Sequence, residues 1–257
     1  MWSRLSVKHW RKAPQNKVQD YSSFPVLTHL PFDSEVFGFP FFRLNTEARE
    51  SLSRDLESLR NLDLPVFGCD AKVSGLDNSD VRYLQEEGFV HVCDQVTFEA
   101  SPTDSDLRLD GGVTELKNLE PMSIASHANN FKKDRLSLDS RIPSDTISRF
   151  YSKWIENSFS FPNKAVYALE SGLCIPQLKK DILKIDLVSV LEKRKGVGTR
   201  LIGHILAQAS EAKISRVEVT TESNNEGAIN IYTRNGFREK ARTSCLHFFH
   251  HDKQKSD

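Results

Sequence analysis

The sequence predicts an α+β protein built on a mixed α/β sheet and divided into two segments. Three observations carry this. Runs rich in β-branched and aromatic residues alternate with stretches of helical periodicity along most of the 257 residues. The stretch SPTDSDLRLDGG at 101–112 has a linker composition and separates a first segment, 24–100, from a second, 113–250. Apolar residues make up 38% and charged residues 27%, the make-up of a folded globular chain rather than a disordered one.

The composition also excludes classes of function. Thirty-five basic residues balance 35 acidic ones, so no overall field draws in nucleic acid or an anionic membrane. The longest apolar windows, FPFF at 39–42 and LIGHILAQA at 201–209, fall well short of the roughly 20 residues that cross a bilayer. The N-terminal MWSRLSVKHWRKAPQNKV is basic but has no apolar secretory core, so 1–23 reads as a flexible extension. Residues 251–257 read as a polar tail. Four scattered cysteines, Cys69, Cys93, Cys174 and Cys245, fit free thiols in a reducing cytosol.

In the first segment FPVLTHL and FGFPFFRL read as short strands. EARESLSRDLESLRNL is a helix with Leu52, Leu56 and Leu59 on its apolar face. PVFGCDA reads as a buried strand, VRYLQEEGF as a helix closed by Gly88, and VHVCDQVTFEA as a half-buried strand. The second segment opens with the strand VTELKN and the helix MSIASHANNF. A longer helix over PSDTISRFYSKWIENSF aligns Ile147, Phe150, Trp154 and Ile155. AVYALES and ILKIDLVSV read as strands, VGTRLIGHILAQASEA as an amphipathic helix and RVEVTT as a strand. EGAINIYTRNGF is a helix capped by Gly236, and CLHFFHH is a last strand. YLQEEGFVHVCDQVTFEA echoes IYTRNGFREKARTSCLHFF, which reads either as a partial internal copy or as ordinary helix–Gly–strand joining.

The chemistry concentrates in IDLVSVLEKRKGVGTR, 185–200. A buried strand runs into a basic, glycine-containing turn and directly into a helix. Gly196 and Gly198 let backbone approach a bulky anion. The first-turn amides near Val197 point outward without intrahelical partners, and together with the helix dipole they suit a phosphate. Lys193, Arg194 and Lys195 add mobile charge. A solvated basic turn at a helix start is the plain alternative. The stretch is neither a Walker loop nor a dinucleotide fingerprint, since Leu201 stands where a third glycine would be.

KRKGVG, preceded by LVSV and followed by TRLI, resembles the coenzyme A loop of the GNAT N-acetyltransferases, whose pattern is Arg/Gln-x-x-Gly-x-Gly/Ala. Lys193 takes the first position and keeps the charge without the guanidinium fork. NEGAINIY (225–232) and RNGF (234–237) resemble that family's Asn-x-x-Ala-x-x-x-Tyr and Gly-Phe elements. LPFDSEVFGFPFFRL (30–44) and the region 131–159 further resemble the dTDP-fucosamine acetyltransferase group of nucleotide-sugar enzymes.

The resemblance implies roles. The backbone of Leu187, Val188 and Val190 would pair with the pantetheine arm of acetyl-CoA, and the turn Lys193, Arg194, Lys195, Gly196, Val197, Gly198, Thr199 would hold the pyrophosphate. Asn225 would bind the arm, or simply cap its helix. Tyr232 would be the general acid toward the departing thiolate, with a core aromatic as the alternative. Glu35 is taken as the catalytic base, ahead of Asp33, Asp186 and Glu222. Asp33, Ser34 and Phe37 are taken as acceptor contacts, with 24–100 contributing to the acceptor site. No metal is expected, because His247, His250 and His251 do not form a compact ligand set. A Cys245 nucleophile would need an activating base. The implied activity is direct acetyl transfer from acetyl-CoA to the 4-amino group of a nucleotide-linked amino-dideoxy sugar in the cytoplasm. Neither nucleic acid nor membrane is an expected partner, and a homodimer is compatible. An acceptor that is a protein N-terminus or another small amine, or a non-catalytic acyl-CoA-binding module, are the alternatives.

Overall fold

The computed structural model describes residues 27–47, 49–75, 79–102 and 110–251. The expected extension 1–23, most of the linker and nearly all of the tail lie outside them. Among the described residues there are ten strands and seven helices. The first half holds β1 (Thr28–His29), α1 (Pro31–Phe37), β2 (Phe41–Arg43), α2 (Arg49–Arg60), β3 (Val66–Ser74), α3 (Ser79–Glu86) and β4 (Val90–Ala100). The remainder holds β5 (Thr114–Leu116), α4 (Pro121–Ala128), α5 (Ser144–Ser158), β6 (Val166–Leu169), β7 (Gly172–Lys179) and β8 (Ile182–Val190). It closes with α6 (Val197–Glu211), β9 (Arg216–Glu222), α7 (Glu226–Arg234) and β10 (Arg238–His251). The mixed α/β sheet expected from the sequence is present.

Two compact units emerge: the described residues up to Val92 with Ser244–His251, and Cys93–Thr243. This division departs from a split at the linker. Gln95–Ala100 of β4 form an antiparallel ladder with Glu222–Val217 of β9, which places them in the second unit. Leu246 and Phe248 of β10 join the core of the first.

In the first unit β1 pairs antiparallel with β2, β2 pairs parallel with β3, and β10 lies on the other edge of β3. The parallel pair is bridged by α2, whose Leu52, Leu56 and Leu59 pack on Phe42, Phe67, Leu84 and Leu246. FGFPFFRL is not one strand. Pro31 starts α1, Gly38 ends it in the left-handed region at φ 79°, and only Phe41–Arg43 is extended. Ser34 explains why α1 forms here. Its hydroxyl accepts the Phe41 amide at 2.9 Å and donates to the Leu30 carbonyl at 2.8 Å, while His29 Nε2 lies 2.9 Å away.

In the second unit the strands run in the order β4-β9-β8-β7-β6-β5. The apolar faces of α6 and α7 cover one side through Leu201, Ile202, Ile205 and Tyr232. Ile124 of α4 and Ile155 of α5 cover the other, over Leu173, Ile175 and Leu187. The sequence reading missed β7. Pro176 breaks its apolar run, and in the sheet that proline sits at a register shift, the place where a strand tolerates a residue without an amide hydrogen.

The sequence echo has matching geometry. Gly88 and Gly236 both take positive φ, 91° and 80°. The Phe89 amide donates to the Leu84 carbonyl at 2.9 Å, as the Phe237 amide does to Tyr232 at 3.1 Å. Leu84, fully buried, thus occupies in the first unit the position of Tyr232 in the second. A phenol there is replaced by a hydrocarbon.

Gly68 tests the β2–β3 packing. A Cβ on it would lie 2.4 Å from the Phe41 ring. Gly68→Ala should cost about 1–3 kcal/mol through overpacking, read as a lowered urea midpoint. An unchanged midpoint would contradict the packing described.

Candidate functional site

The site begins with a gap in a ladder. β8 and β9 pair in parallel from Ile182↔Arg216 to Ile185↔Val219, and there the pairing stops. Asp186–Val190 and Thr220–Glu222 continue as strand without pairing to each other. Each keeps its other neighbour: β8 pairs with β7 as far as Val190↔Gly172, and β9 pairs with β4 as far as Glu222↔Gln95. The result is a notch edged by backbone groups that need partners from outside the sheet.

A bulge forces the divergence. Ile175 opposes Leu187 and Pro176 opposes Ile185, so Asp186 is an extra residue on β8. Its carboxylate is held by Lys164 Nζ at 2.8 Å, both side chains being largely buried, and the ammonium lies 5.4 Å from the Trp154 ring centroid. Beyond the bulge the side chains change faces. Leu187 joins the α4/α5 cluster, while Val188 and Val190 pack toward α6 and α7. Asp186, weighed as a base, has an ion-pair partner instead.

The basic turn follows directly. Residues 191–196 are exposed, and Arg194 at φ 66° and Gly196 at φ 77° are left-handed. Gly196 is the N-cap of α6, and no side chain caps that end. The Arg200 amide donates to the Gly196 carbonyl at 3.0 Å. The first-turn amides of Val197, Gly198 and Thr199 are therefore those that helix geometry leaves without intrahelical acceptors. Lys195 is engaged by Glu192, whereas Lys193 and Arg194 form no ion pair among the described residues. Arg200 points away, bound to Asp110 at 2.7 Å and Glu170 at 2.8 Å. The guanidinium holds the Asp110 carboxyl down to about 2.

The two glycines do different work. A Cβ on Gly196 meets nothing within 4 Å, so its need is conformational. A Cβ on Gly198 would lie 2.7 Å from Ile231 Cδ1. That glycine lets α6 approach α7, a need separate from anion approach.

Asn225 caps α7: its side-chain oxygen accepts the Ala228 amide at 3.4 Å, and its Nδ2 donates to Thr221 Oγ1 at 3.2 Å. This ties the start of α7 to the part of β9 that does not pair with β8. Seven residues on, Tyr232 is 5% exposed, with Phe98 and Phe237 rings at 6.1 and 5.9 Å. Burial, with smaller contributions from Cys174 and Glu222, pushes its phenol well above the ordinary value. It packs as a core aromatic.

Glu222 ends β9 at the notch and is 8% exposed. Its Oε1 accepts from Gln95 Nε2 at 3.0 Å and from the Arg135 amide at 3.2 Å. Burial raises the pKa of its carboxyl from the ordinary value, nearby Asp134 adds to this, and the Gln95 and Arg135 donors oppose it. Asp134, beside it in the loop between α4 and α5, accepts the amides of Leu136 and Ser137 and the Ser137 hydroxyl.

Glu35, Asp33, Ser34 and Phe37 all lie on α1 in the first unit. Glu35 is exposed. Ser34 is committed to the clamp on Phe41, and Phe37 is buried and stacked on Phe41 at 4.8 Å. Both have structural roles that account for them. His247 and all four cysteines are buried, and no group of three or more His, Cys, Asp or Glu poised for a metal occurs among the described residues.

Gly198→Ala should lower stability by about 1–3 kcal/mol through the clash with Ile231. Adding Ile231→Ala should leave the pair less destabilised than the two single losses summed, because the shortened side chain makes room. Strict additivity in thermal unfolding would contradict the α6–α7 contact.

Residues 179–237 match the model of the acetyltransferase (GNAT) family, a span covering β8, the basic turn, α6, β9 and α7. No curated protein matches the chain at significance. Among solved structures, a functionally unknown conserved protein from Staphylococcus epidermidis ATCC 12228 aligns with TM-score 0.57 and 13% identity, over 95% of this chain and 97% of its own. A tandem GNAT protein from the clavulanic acid biosynthesis pathway aligns with TM-score 0.51 and 12% identity, over 81% and 75%. A GCN5-related N-acetyltransferase from Sphaerobacter thermophilus aligns with TM-score 0.48 and 16% identity, over 78% of this chain but only 64% of its own length. The first two likenesses concern the fold alone. The family match falls on the segment that forms the notch and the turn, so the likeness to the GNAT acetyltransferases is concentrated where the candidate site lies.

Proposed function

We propose that the chain transfers acetyl from acetyl-CoA to a primary amine, with the coenzyme along the unpaired edge of β8 and its pyrophosphate on the turn before α6. The observation that carries this is the loss of β8–β9 pairing after Ile185 beside an uncapped helix start. These features fit the coenzyme: Leu187, Val188 and Val190 offer backbone to the arm, and Gly196 with the amides of Val197, Gly198 and Thr199 suits a diphosphate. Lys193 and Arg194 add charge, and Asn225, already capping α7, stands at the opposite edge. Bound there, an acyl thioester supplies an activated carbonyl and a thiolate leaving group.

The protein supplies the proton chemistry. A protonated amine must lose its hydrogen before it can attack. We assign the base to Glu222 rather than to Glu35, because burial has already raised its affinity for a proton and both of its hydrogen bonds converge on Oε1. Tyr232, whose buried phenol keeps its hydrogen, is assigned the role of giving that hydrogen to the sulfur. For the acceptor, the resemblance of 30–44 and 131–159 to nucleotide-sugar acetyltransferases supports the 4-amino group of a nucleotide-linked amino-dideoxy sugar, handled in the cytoplasm. No helix among the described residues is long and apolar enough to cross a membrane.

Thiol release from acetyl-CoA, measured over a panel of amino-sugar nucleotides, amino acids and peptide N-termini, tests the reading. Activity on amino-sugar nucleotides supports it; activity confined to the other amines shows the acceptor to be wrong, and none at all the enzyme reading. Tyr232→Phe should retain acetyl-CoA affinity and slow the chemical step about 10²–10⁴-fold; a wild-type single-turnover rate would refute the role. Because the base must be ionised, the rate should fall as pH drops through the raised Glu222 pKa. Glu222→Gln should slow the reaction and remove that acid limb. A limb unchanged in the variant would move the base elsewhere.

A further inference from the structure

Where α4 meets the end of β8, three side chains form a hydrogen-bonded chain. Asn130, two residues past α4, brings Nδ2 to 3.1 Å from Ser189 Oγ and 3.2 Å from the Val190 carbonyl oxygen. A carbonyl only accepts, so Val190 identifies that Asn130 atom as the amide nitrogen, with one hydrogen for each partner. Ser189 Oγ therefore accepts from Asn130 and has a single hydrogen left to donate. Its other neighbour is His127 Nδ1, at 2.9 Å. A hydroxyl hydrogen donated there puts the imidazole's own hydrogen on Nε2, the tautomer the relay requires. Ser189 is 1% exposed and His127 7%, so water does not replace these bonds easily. Burial also lowers the His127 pKa from its ordinary value, which favours the neutral imidazole.

The place of this chain gives it a purpose. Ser189 and Val190 belong to the part of β8 that has no ladder to β9 and is held as a strand along one edge only. Asn130 opens the loop that carries Arg135, whose amide binds Glu222. The chain thus ties the free end of the strand to the loop that orients the carboxylate.

We propose that Asn130, Ser189 and His127 are positioning residues, a relay that locks the free end of β8 to α4 and so couples coenzyme binding to the segment beside the base. This rests on the assignment of β8 to acetyl-CoA made above. None of the three touches a reacting atom in this reading; they act through the backbone of β8.

Calorimetric titration with acetyl-CoA tests the relay in Ser189→Ala, Asn130→Ala, His127→Phe, His127→Gln and the double variant Asn130→Ala/His127→Phe. The first three should each raise Kd about five- to tenfold, the size of one net hydrogen bond. The double variant should be no worse than either single one, because cutting the chain at one end releases the other. His127→Gln should stay near wild type, since its side-chain oxygen can accept the Ser189 hydroxyl. Additive losses, unchanged Kd values, or a glutamine variant as weak as the phenylalanine one would overturn the proposal. Nitrogen-15 NMR of the free protein reads the relay without the coenzyme. His127 should be the Nε2–H tautomer in wild type and change on Ser189→Ala, and an Nδ1–H tautomer would overturn the proposal. If wild-type protein binds no acetyl-CoA, the proposed function falls. The relay is then decided by the tautomer and by non-additivity of the same variants in unfolding midpoints.

Discussion

Two parallel strands that begin as a ladder and then part are the constraint on which the second unit turns. Ile185↔Val219 is the last pair, and every feature of the site stands in relation to it. Parting would be unfavourable if it left both strands without partners, since buried backbone groups need hydrogen bonds. It is tolerated because each strand keeps a complete neighbour on its far side: β7 for β8, β4 for β9. The extra residue at Asp186 supplies the bend, and Lys164 holds its carboxylate there. A sheet with one open seam offers backbone donors and acceptors at fixed spacing, which an extended polar ligand can use and a compact one cannot.

The chemistry then follows from what stands on either side of the seam. Glu222 closes the β9 edge, and burial lifts its proton affinity. Tyr232 on α7 is kept protonated by the same means. Burial thus shifts both groups in the same direction, upward, and the proposed roles of proton acceptor and proton donor rest on that. The first unit repeats the helix–Gly-Phe–strand geometry but places Leu84 where Tyr232 stands, so the repeat preserves packing without a proton donor.

Much of this was legible from residue order. Leu52, Leu56 and Leu59 at helical spacing marked α2, and ILKIDLVSV marked β8 to the residue. The glycine pair and Asn225 with Tyr232 placed the turn and α7. What stayed hidden depended on partners distant in sequence. PFDSEVF became helix α1 because Ser34 meets the Phe41 amide, a contact that no local propensity encodes. β7 was concealed by Pro176, whose tolerance depends on the bulge in β8. Gly198 looked like a device for an anion, and only the position of Ile231 shows it is also a contact between helices. Glu222 was one carboxylate among several until Gln95 and the Arg135 amide fixed its surroundings.

Amide hydrogen exchange of the full chain, with and without acetyl-CoA, tests the central claim most directly. If the open seam is the coenzyme site, adding acetyl-CoA should slow exchange at amides within 187–190 and 197–199 while leaving the β4–β9 ladder as it was. Exchange unchanged in both stretches at saturating acetyl-CoA, or protection confined to other elements, would contradict it.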